Sequence, residues 1–188
     1  AIGAGIAQGL LEEDCHVVVT DLSGERLDSL AADLSLAFPG RASAVPMDVT
    51  DEASVAGAFR RVASGWGGVD LVIINAGIAH VSPLMSMDVD AFRRLERVNI
   101  DGTLLVLAAS GRHFAQQGTG GDIVLVSTKN VFAPGAKFGA YSATKAAAHQ
   151  LGRIASLELA DDDVRVNMVS PDAVFGQGTR RSGLWAEV

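Results

Sequence analysis

Val69-Asp70-Leu71-Val72-Ile73-Ile74-Asn75-Ala76-Gly77 reads as a short buried strand running into a turn of small residues. Val69 to Ile74 are apolar but for Asp70 and show no regular alternation of polar and apolar residues. Both faces of the strand are therefore covered, the pattern of a parallel sheet. Parallel strands need long crossover connections, which helices supply. Asn75, Ala76 and Gly77 lie where the strand ends. The two small residues let the backbone approach a flat ligand, and the Asn75 amide can pin neighbouring strands.

The same alternation of strand and helix extends in both directions. Ile2 to Glu13 predicts a helix with Ile6, Leu10 and Leu11 on one face. His16 to Thr20 is a β-branched run and predicts a buried strand. Ser23 is the expected N-cap of a helix over Glu25 to Ala37, which Pro39-Gly40 stops. Ala42 to Met47 is a weaker strand. Thr50 or Asp51 caps a helix to about Ser64, ended by Gly65, Gly67 and Gly68. Val89 to Gln117 is largely helical, with a break expected near Asn99. Ile123 to Val126 and Val164 to Val169 are strands on either side of a helix over Phe138 to Ala160. The predicted fold class is α/β, a doubly wound parallel sheet with helices on both faces. Asp161-Asp162-Asp163 falls between helix and strand and reads as a solvated turn; no metal site is expected.

The 188 residues suffice for one domain with a real core. A formal charge of −7 argues against nucleic acid or an anionic membrane as the main partner. The single Cys15 excludes an internal disulfide framework, suits a reducing cytoplasm and is expected to be a small buried hydrophobe. No apolar stretch has the length of a membrane span, and no signal peptide is visible. The chain starts at Ala1 inside a helical pattern and ends in Leu184-Trp185-Ala186-Glu187-Val188. Residues 1–188 therefore read as a single dinucleotide-binding domain truncated at both ends, without its first strand and its C-terminal strand.

Ligands of a doubly wound sheet bind outside the carboxyl ends of the strands. Asp21 ends the run HVVVT and lies 18 positions after Gly3, close to the spacing of an acidic group that bonds adenosine ribose hydroxyls. A carboxylate there repels a 2′-phosphate, so NAD is favoured over NADP, although Arg26 is near. The same carboxylate also suits capping of the next helix. Asp48-Val49 ends the next strand, where a carboxylate could accept a bond from an adenine amino group or serve the turn. Ser127-Thr128 ends IVLV, where a hydroxyl could bond a substrate oxygen. Gly3 and Gly5 open the first helix, and a glycine-lined helix N-terminus attracts phosphate.

Tyr141-Ser142-Ala143-Thr144-Lys145 places the chain's single tyrosine one helical turn from a lysine. A nearby cation favours the phenolate and is expected to lower the tyrosine pKa. A tyrosine tuned in this way can exchange a proton with an alcohol or carbonyl oxygen.

In this order the segments resemble the short-chain dehydrogenase/reductase family over essentially the whole chain. Ala1-Ile2-Gly3 is similar to the end of the family's glycine-rich turn, with Ala1 where Gly is usual. Asn75-Ala76-Gly77, Val98-Asn99, Tyr141 to Lys145, Arg165-Val166-Asn167 and Ser170-Pro171 match its further elements. Thr128 stands thirteen residues before Tyr141, where the family usually has Ser. The resemblance implies a Rossmann-type fold and a catalytic set of Tyr141, Lys145, Thr128 and Asn99. Tyr141 would move the proton and Lys145 would lower its pKa and hold the nicotinamide ribose. Thr128 would orient the substrate oxygen, and Asn99 would hold a water in a proton relay through Lys145. Cofactor contacts would come from Ile2, Gly3, Asp21, Leu22, Asp48, Val49, Asn75, Ala76, Gly77, Tyr141, Lys145, Pro171 and Val174.

Ser127-Thr128-Lys129-Asn130, Ser170 to Phe175 and Ser182-Gly183-Leu184-Trp185 resemble the dehydrogenase part of bifunctional aldolase/short-chain dehydrogenases of the rhamnulose-1-phosphate aldolase/alcohol dehydrogenase type. Asp172 stands where the wider family usually has Gly. This resemblance implies a preceding class II aldolase domain, a lactaldehyde-like substrate in sugar catabolism, and contact of Lys129 and Asn130 with that substrate. The alternatives are a generic short-chain reductase, either a 3-oxoacyl reductase or a polyol dehydrogenase, and a dinucleotide sensor without catalysis. The Ala-rich helices Asn99 to Gln117 and Phe138 to Ala160 could pack across a two-fold axis, so a homo-oligomer is expected.

Overall fold

The structure, a computed structural model, describes residues 2–174. Helix α1 spans Ile2–Glu12, followed by β1 Val17–Asp21, α2 Glu25–Ala37, β2 Ala42–Pro46, α3 Glu52–Trp66 and β3 Leu71–Ile74. Then come α4 Val89–Glu96, α5 Gly102–Gln117, β4 Gly121–Val126, α6 Gly139–Glu158 and β5 Val164–Val169. The predicted elements are present, with ends shifted by up to a few residues. The 3₁₀ turns at Leu84–Ser86 and Lys129–Val131 had no counterpart in the sequence reading, and the one at Ala160–Asp162 overlaps the turn expected at Asp161 to Asp163.

Every strand pairing is parallel. β1 lies against β2 with Val17 opposite Ala42 and Asp21 opposite Pro46. β4 lies between β3 and β5, with Ile74 opposite Leu125 and Val126 opposite Val169. Among the described residues β1 and β3 do not pair, so the sheet consists of two ladders, β2-β1 and β3-β4-β5. In the common doubly wound order a further strand lies between these two ladders. The fold is the expected α/β arrangement, Rossmann-like, with all the strand carboxyl ends leading into the polar segments singled out above.

The larger core is built around Phe114, Ile123, Leu125 and Val55, all essentially inaccessible to water. Burying each such side chain contributes roughly 1.5–3 kcal/mol. β4 is central to its ladder and is the most deeply buried strand. A smaller cluster of Ala7, Leu11 and Leu34 seats α1 and α2 on β1. The buried stripe of α1 is thus Ala7 and Leu11, with Ile6 and Leu10 only half-buried beside it.

Two local expectations are corrected. The N-cap of α2 is Gly24, at φ 148°, and not Ser23. Gly24 holds a positive φ that Ser would adopt only with strain, and its carbonyl accepts from Leu27 N–H at 3.0 Å. Cys15 is half-buried at the end of α1 rather than in the core. Asp51 caps α3, accepting from Ala53 N–H at 2.9 Å. Asp161 to Asp163 form an exposed turn, with Asp163 in the left-handed region.

Between α4 and α5 the helix widens into one π turn at Arg97–Asp101. A π turn inserts an extra residue and reorients the side chains around it. Here it aims Asn99 inward, 1 % exposed, at the point where the sequence predicted a break.

Candidate active site

The carboxyl end of β4 and the first turns of α6 bring Thr128, Tyr141 and Lys145 together. Thr128 is buried, and its hydroxyl is hydrogen-bonded with the phenol of half-buried Tyr141. Lys145 is 5 % exposed, and its Nζ donates to the carbonyl of Val126 at 2.7 Å. The helical spacing fixes Tyr141 and Lys145 on one face, and the strand end supplies the third group.

The electrostatics differ from the sequence expectation. Burial raises the Tyr141 pKa above its ordinary value near 10, and the bond with Thr128 only partly opposes this. Burial also lowers Lys145 to about 8. Desolvation disfavours the charged form of each group, so it moves the two in opposite directions. Lys145 gives its short hydrogen bond to Val126, and in this state burial outweighs any lowering of the Tyr141 pKa by the ammonium.

Asn99 makes bonds through both its side chain and its backbone. Its Nδ2 donates to Ile78 O at 2.9 Å and to Thr144 Oγ1 at 3.0 Å, and its Oδ1 accepts from Ile78 N–H at 2.9 Å. Its backbone carbonyl accepts from Thr103 Oγ1 at 2.7 Å. An amide has two donors, and both are spent. These bonds tie the loop after β3 to α6, and the second lone pairs of the two Asn99 carbonyl oxygens can still accept from a water. Gly77 fits into that junction: a Cβ there would lie 3.2 Å from Asn99 Oδ1 and 3.9 Å from Lys145 Nζ.

The residues expected to hold a dinucleotide line the ends of β1, β2 and β3. Asp21, the last residue of β1, and Leu22 after it are exposed, and Asp21 Oδ1 accepts from Leu22 N–H at 2.9 Å. Arg26 approaches the Asp21 carboxylate at 4.0 Å, with its own side chain largely in solvent. Asp48 accepts from the N–H and the hydroxyl of Thr50, both at 2.8 Å, and these bonds hold its carboxyl below the usual carboxylate range. Val49 packs on the first turn of α5, where a Cβ at Gly102 would come within 2.8 Å of it. Ile2 and Gly3 start α1, and a Cβ at Gly3 would meet Asn75 Nδ2 at 2.7 Å. A side chain at Gly3 would make the Asn75 amide shift, while a Cβ at Gly5 would meet open space. Ala76, Gly77 and Val174 are exposed, and Pro171 is half-buried. A glycine-bearing first turn of α1 beside two carboxylate-bearing strand ends fits a bound dinucleotide.

Lys129 and Asn130 part company. Asn130 is buried in the turn, with its N–H donating to Thr128 Oγ1 at 3.3 Å, whereas Lys129 is exposed. Phe175 and Ser182 to Trp185 lie outside the described residues, as does Ala1.

One feature went unread in the sequence. Ser127 Oγ lies 3.0 Å from His149 Nδ1, directly behind Thr128, and the Phe132 ring meets His149 edge-on at 5.2 Å. His149 follows Lys145 by four residues on α6, so its helical spacing was the available signal.

Fold and site together define an α/β chain of the nicotinamide-dependent oxidoreductase type. The family described as short chain dehydrogenase matches residues 1–185, and the chain belongs to that family. It is 35% identical over 187 residues to the uncharacterized oxidoreductase YuxG of Bacillus subtilis (strain 168), covering 99% of this chain but only 27% of that protein. It is 30% identical over 176 residues to a sorbitol dehydrogenase of Cereibacter sphaeroides, covering 94% of this chain and 67% of the relative. Among solved structures, NAD+-bound xylitol dehydrogenase superposes with a TM-score of 0.92 at 29% identity, over 100% of this chain and 72% of that one. Among the described residues no helix is long and apolar enough to cross a membrane, and no cluster of ligating side chains could hold a metal.

Proposed function

We propose that this chain is the dinucleotide-binding, catalytic domain of an NAD-dependent oxidoreductase. It interconverts a small hydroxyaldehyde or ketone and its alcohol or acid, with Tyr141 as the general acid and base. The observation that carries the reading is the buried junction of Thr128, Tyr141 and Lys145 at the carboxyl end of β4. The bound nicotinamide supplies the hydride chemistry; the protein positions the partners and moves the proton.

Tyr141 Oη gives its proton to a carbonyl oxygen during reduction and takes it from the alcohol during oxidation. Thr128 holds that same oxygen, and it also contacts the phenol. Lys145 carries a charge below its pKa of about 8 and favours the phenolate form when that form develops. Asn99 keeps the loop after β3 and the catalytic helix in fixed relation. Asp21 would hold the adenosine ribose and Asp48-Val49 the adenine, while Asn75, Ala76, Gly77, Pro171 and Val174 would flank the nicotinamide end. The Asp21 carboxylate favours NAD over NADP.

The substrate reading has two forms. Lactaldehyde or a related hydroxyaldehyde from sugar breakdown follows from the Ser127 to Asn130 and Ser170 to Val174 segments. A polyol dehydrogenase is favoured by the relatives named for sorbitol and xylitol. Both substrates carry a hydroxyl next to the reacting carbon. A class II aldolase domain in the same polypeptide belongs to the first form, and the Bacillus subtilis relative, of which this chain spans 27%, is long enough to hold one. A cytoplasmic setting fits the single Cys15. A homo-oligomer is supported by the exposed apolar side chains of Leu104 on α5 and Ile154 on α6.

The test is absorbance at 340 nm on the full-length protein that carries this chain. NAD and NADP are each offered with lactaldehyde, 1,2-propanediol, sorbitol and a 3-oxoacyl ester. NAD-linked turnover of the hydroxyaldehyde or a polyol supports the reading. Turnover of the oxoacyl ester alone, with NADP, overturns the cofactor and substrate assignments.

A further inference from the structure

Two loops meet beside the Thr128 and Tyr141 hydroxyls. One follows β4 and contains the turn Lys129–Val131; the other follows β5 and contains Pro171 to Val174. They are joined twice. Lys129 N–H donates to Pro171 O at 3.0 Å, and Lys129 Nζ lies 3.1 Å from Asp172 Oδ1. The same Asp172 oxygen accepts from Ala173 N–H at 2.8 Å, so the carboxylate is fixed by its own loop. Lys129 is half exposed and Asp172 is 69 % exposed at the side chain. Among the described residues, Asp172 Oδ2 and two of the three Lys129 ammonium hydrogens have no partner.

We infer that Lys129 and Asp172 form a specificity pair that reads a neutral vicinal diol in the substrate. This deepens the oxidoreductase reading above and rests on it. Lys129 directly follows Thr128, so the pair sits on the loop that carries the group holding the reacting oxygen. A hydroxyl both donates and accepts. A second hydroxyl on the carbon beside the reacting one can accept from Lys129 and donate to Asp172. An apolar alcohol leaves both charges without that partner. An anionic substrate is attracted by Lys129 but repelled by Asp172, so the pair gives carboxylates and phosphates no net advantage. Exposed ion pairs contribute little to stability, so either residue can be changed without unfolding the protein.

The experiment uses the full-length protein with NAD and compares 1,2-propanediol with 2-propanol and with glycerate. Lys129→Met and Asp172→Asn are expected to raise the KM for the diol about tenfold, the loss of one charge-assisted hydrogen bond. The kcat for the diol, the kcat/KM for 2-propanol and the NAD affinity followed by fluorescence stay within about twofold of wild type, since neither the cofactor nor Tyr141 loses a contact. Asp172→Asn also lowers the KM for glycerate, because the repelling charge is gone. Equal losses on the diol and on 2-propanol, or weakened NAD binding, would show that the pair only clasps the loops. A wild type that prefers 2-propanol to the diol sinks the inference and leaves the dehydrogenase intact. A wild type that turns over no alcohol with either nucleotide removes the oxidoreductase reading and the inference together.

Discussion

Lys145 Nζ donates to the carbonyl oxygen of Val126 at 2.7 Å, across nineteen positions of sequence. The bond joins the catalytic helix to the most buried strand, two residues before Thr128. It also keeps an ammonium in a place that water hardly reaches, and that has an energetic signature.

The folded Lys145 titrates at about 8 instead of 10.5. Between these values the unfolded chain binds the proton and the folded protein does not, so stability rises with pH across that window. The contribution is about 3 kcal/mol over the whole interval. Urea unfolding of wild type and Lys145→Met at pH 7.5 and 9.5 isolates it, since other groups cancel in the difference. Wild type gains stability relative to the variant at the higher pH. A difference that does not change with pH would contradict the burial of this charge.

Asn99→Ala removes the partners of Ile78 N–H, Ile78 O and Thr144 Oγ1 together. Leaving such groups unmet is expected to lower stability by about 2 kcal/mol. Asn99→Asp keeps only the acceptor and is expected to fall nearly as far. Urea titration measures both. If the side chain held only a water, both variants would unfold like wild type.

His149 sits below its usual pKa, first because it is partly desolvated and second because Arg153 is near. Lys145, one turn earlier on α6, is a further cation on that side of the helix. The folded state resists protonation that the unfolded chain accepts, so stability is lost as pH falls below 6.5. His149→Gln should move the acid unfolding midpoint to lower pH, as followed by circular dichroism.

Asp21→Ser takes away the carboxylate that would face a 2′-phosphate and leaves Arg26 in place. The kcat/KM with NADP is expected to rise about tenfold, consistent with a like-charge contact near a surface. NAD turnover is expected to fall. Steady-state kinetics with both nucleotides checks the pair of changes.

Much of this was legible in the sequence because it follows from local periodicity. The β-branched runs at Val17–Asp21 and Leu71–Ile74 could be little else in a chain with helices between them. The break near Asn99 was readable, but its form as a π turn was not, since backbone register within a helix leaves no residue pattern here. Gly24 displaced Ser23 as a cap because the chain needed a positive φ there, which hydropathy does not express. Tyr141 and Lys145 lie one turn apart on α6, as their spacing predicted. That spacing could not give the sign of the Tyr141 shift, which depends on how dry the site is. Pairs such as Lys129–Asp172 and Ser127–His149 are distant in sequence, and only the parallel alignment of β4 and β5 and the packing of α6 bring them together.

The most direct test is Tyr141→Phe in the full-length protein. Phenylalanine keeps the ring and loses the proton and the bond with Thr128. NADH formation at 340 nm is expected to fall by about a hundredfold or more, the usual contribution of a general acid–base group. NAD binding, followed by fluorescence titration, is expected to stay within about twofold of wild type, since the ring remains. Turnover that survives the substitution unchanged would contradict the assignment of Tyr141 as the proton carrier.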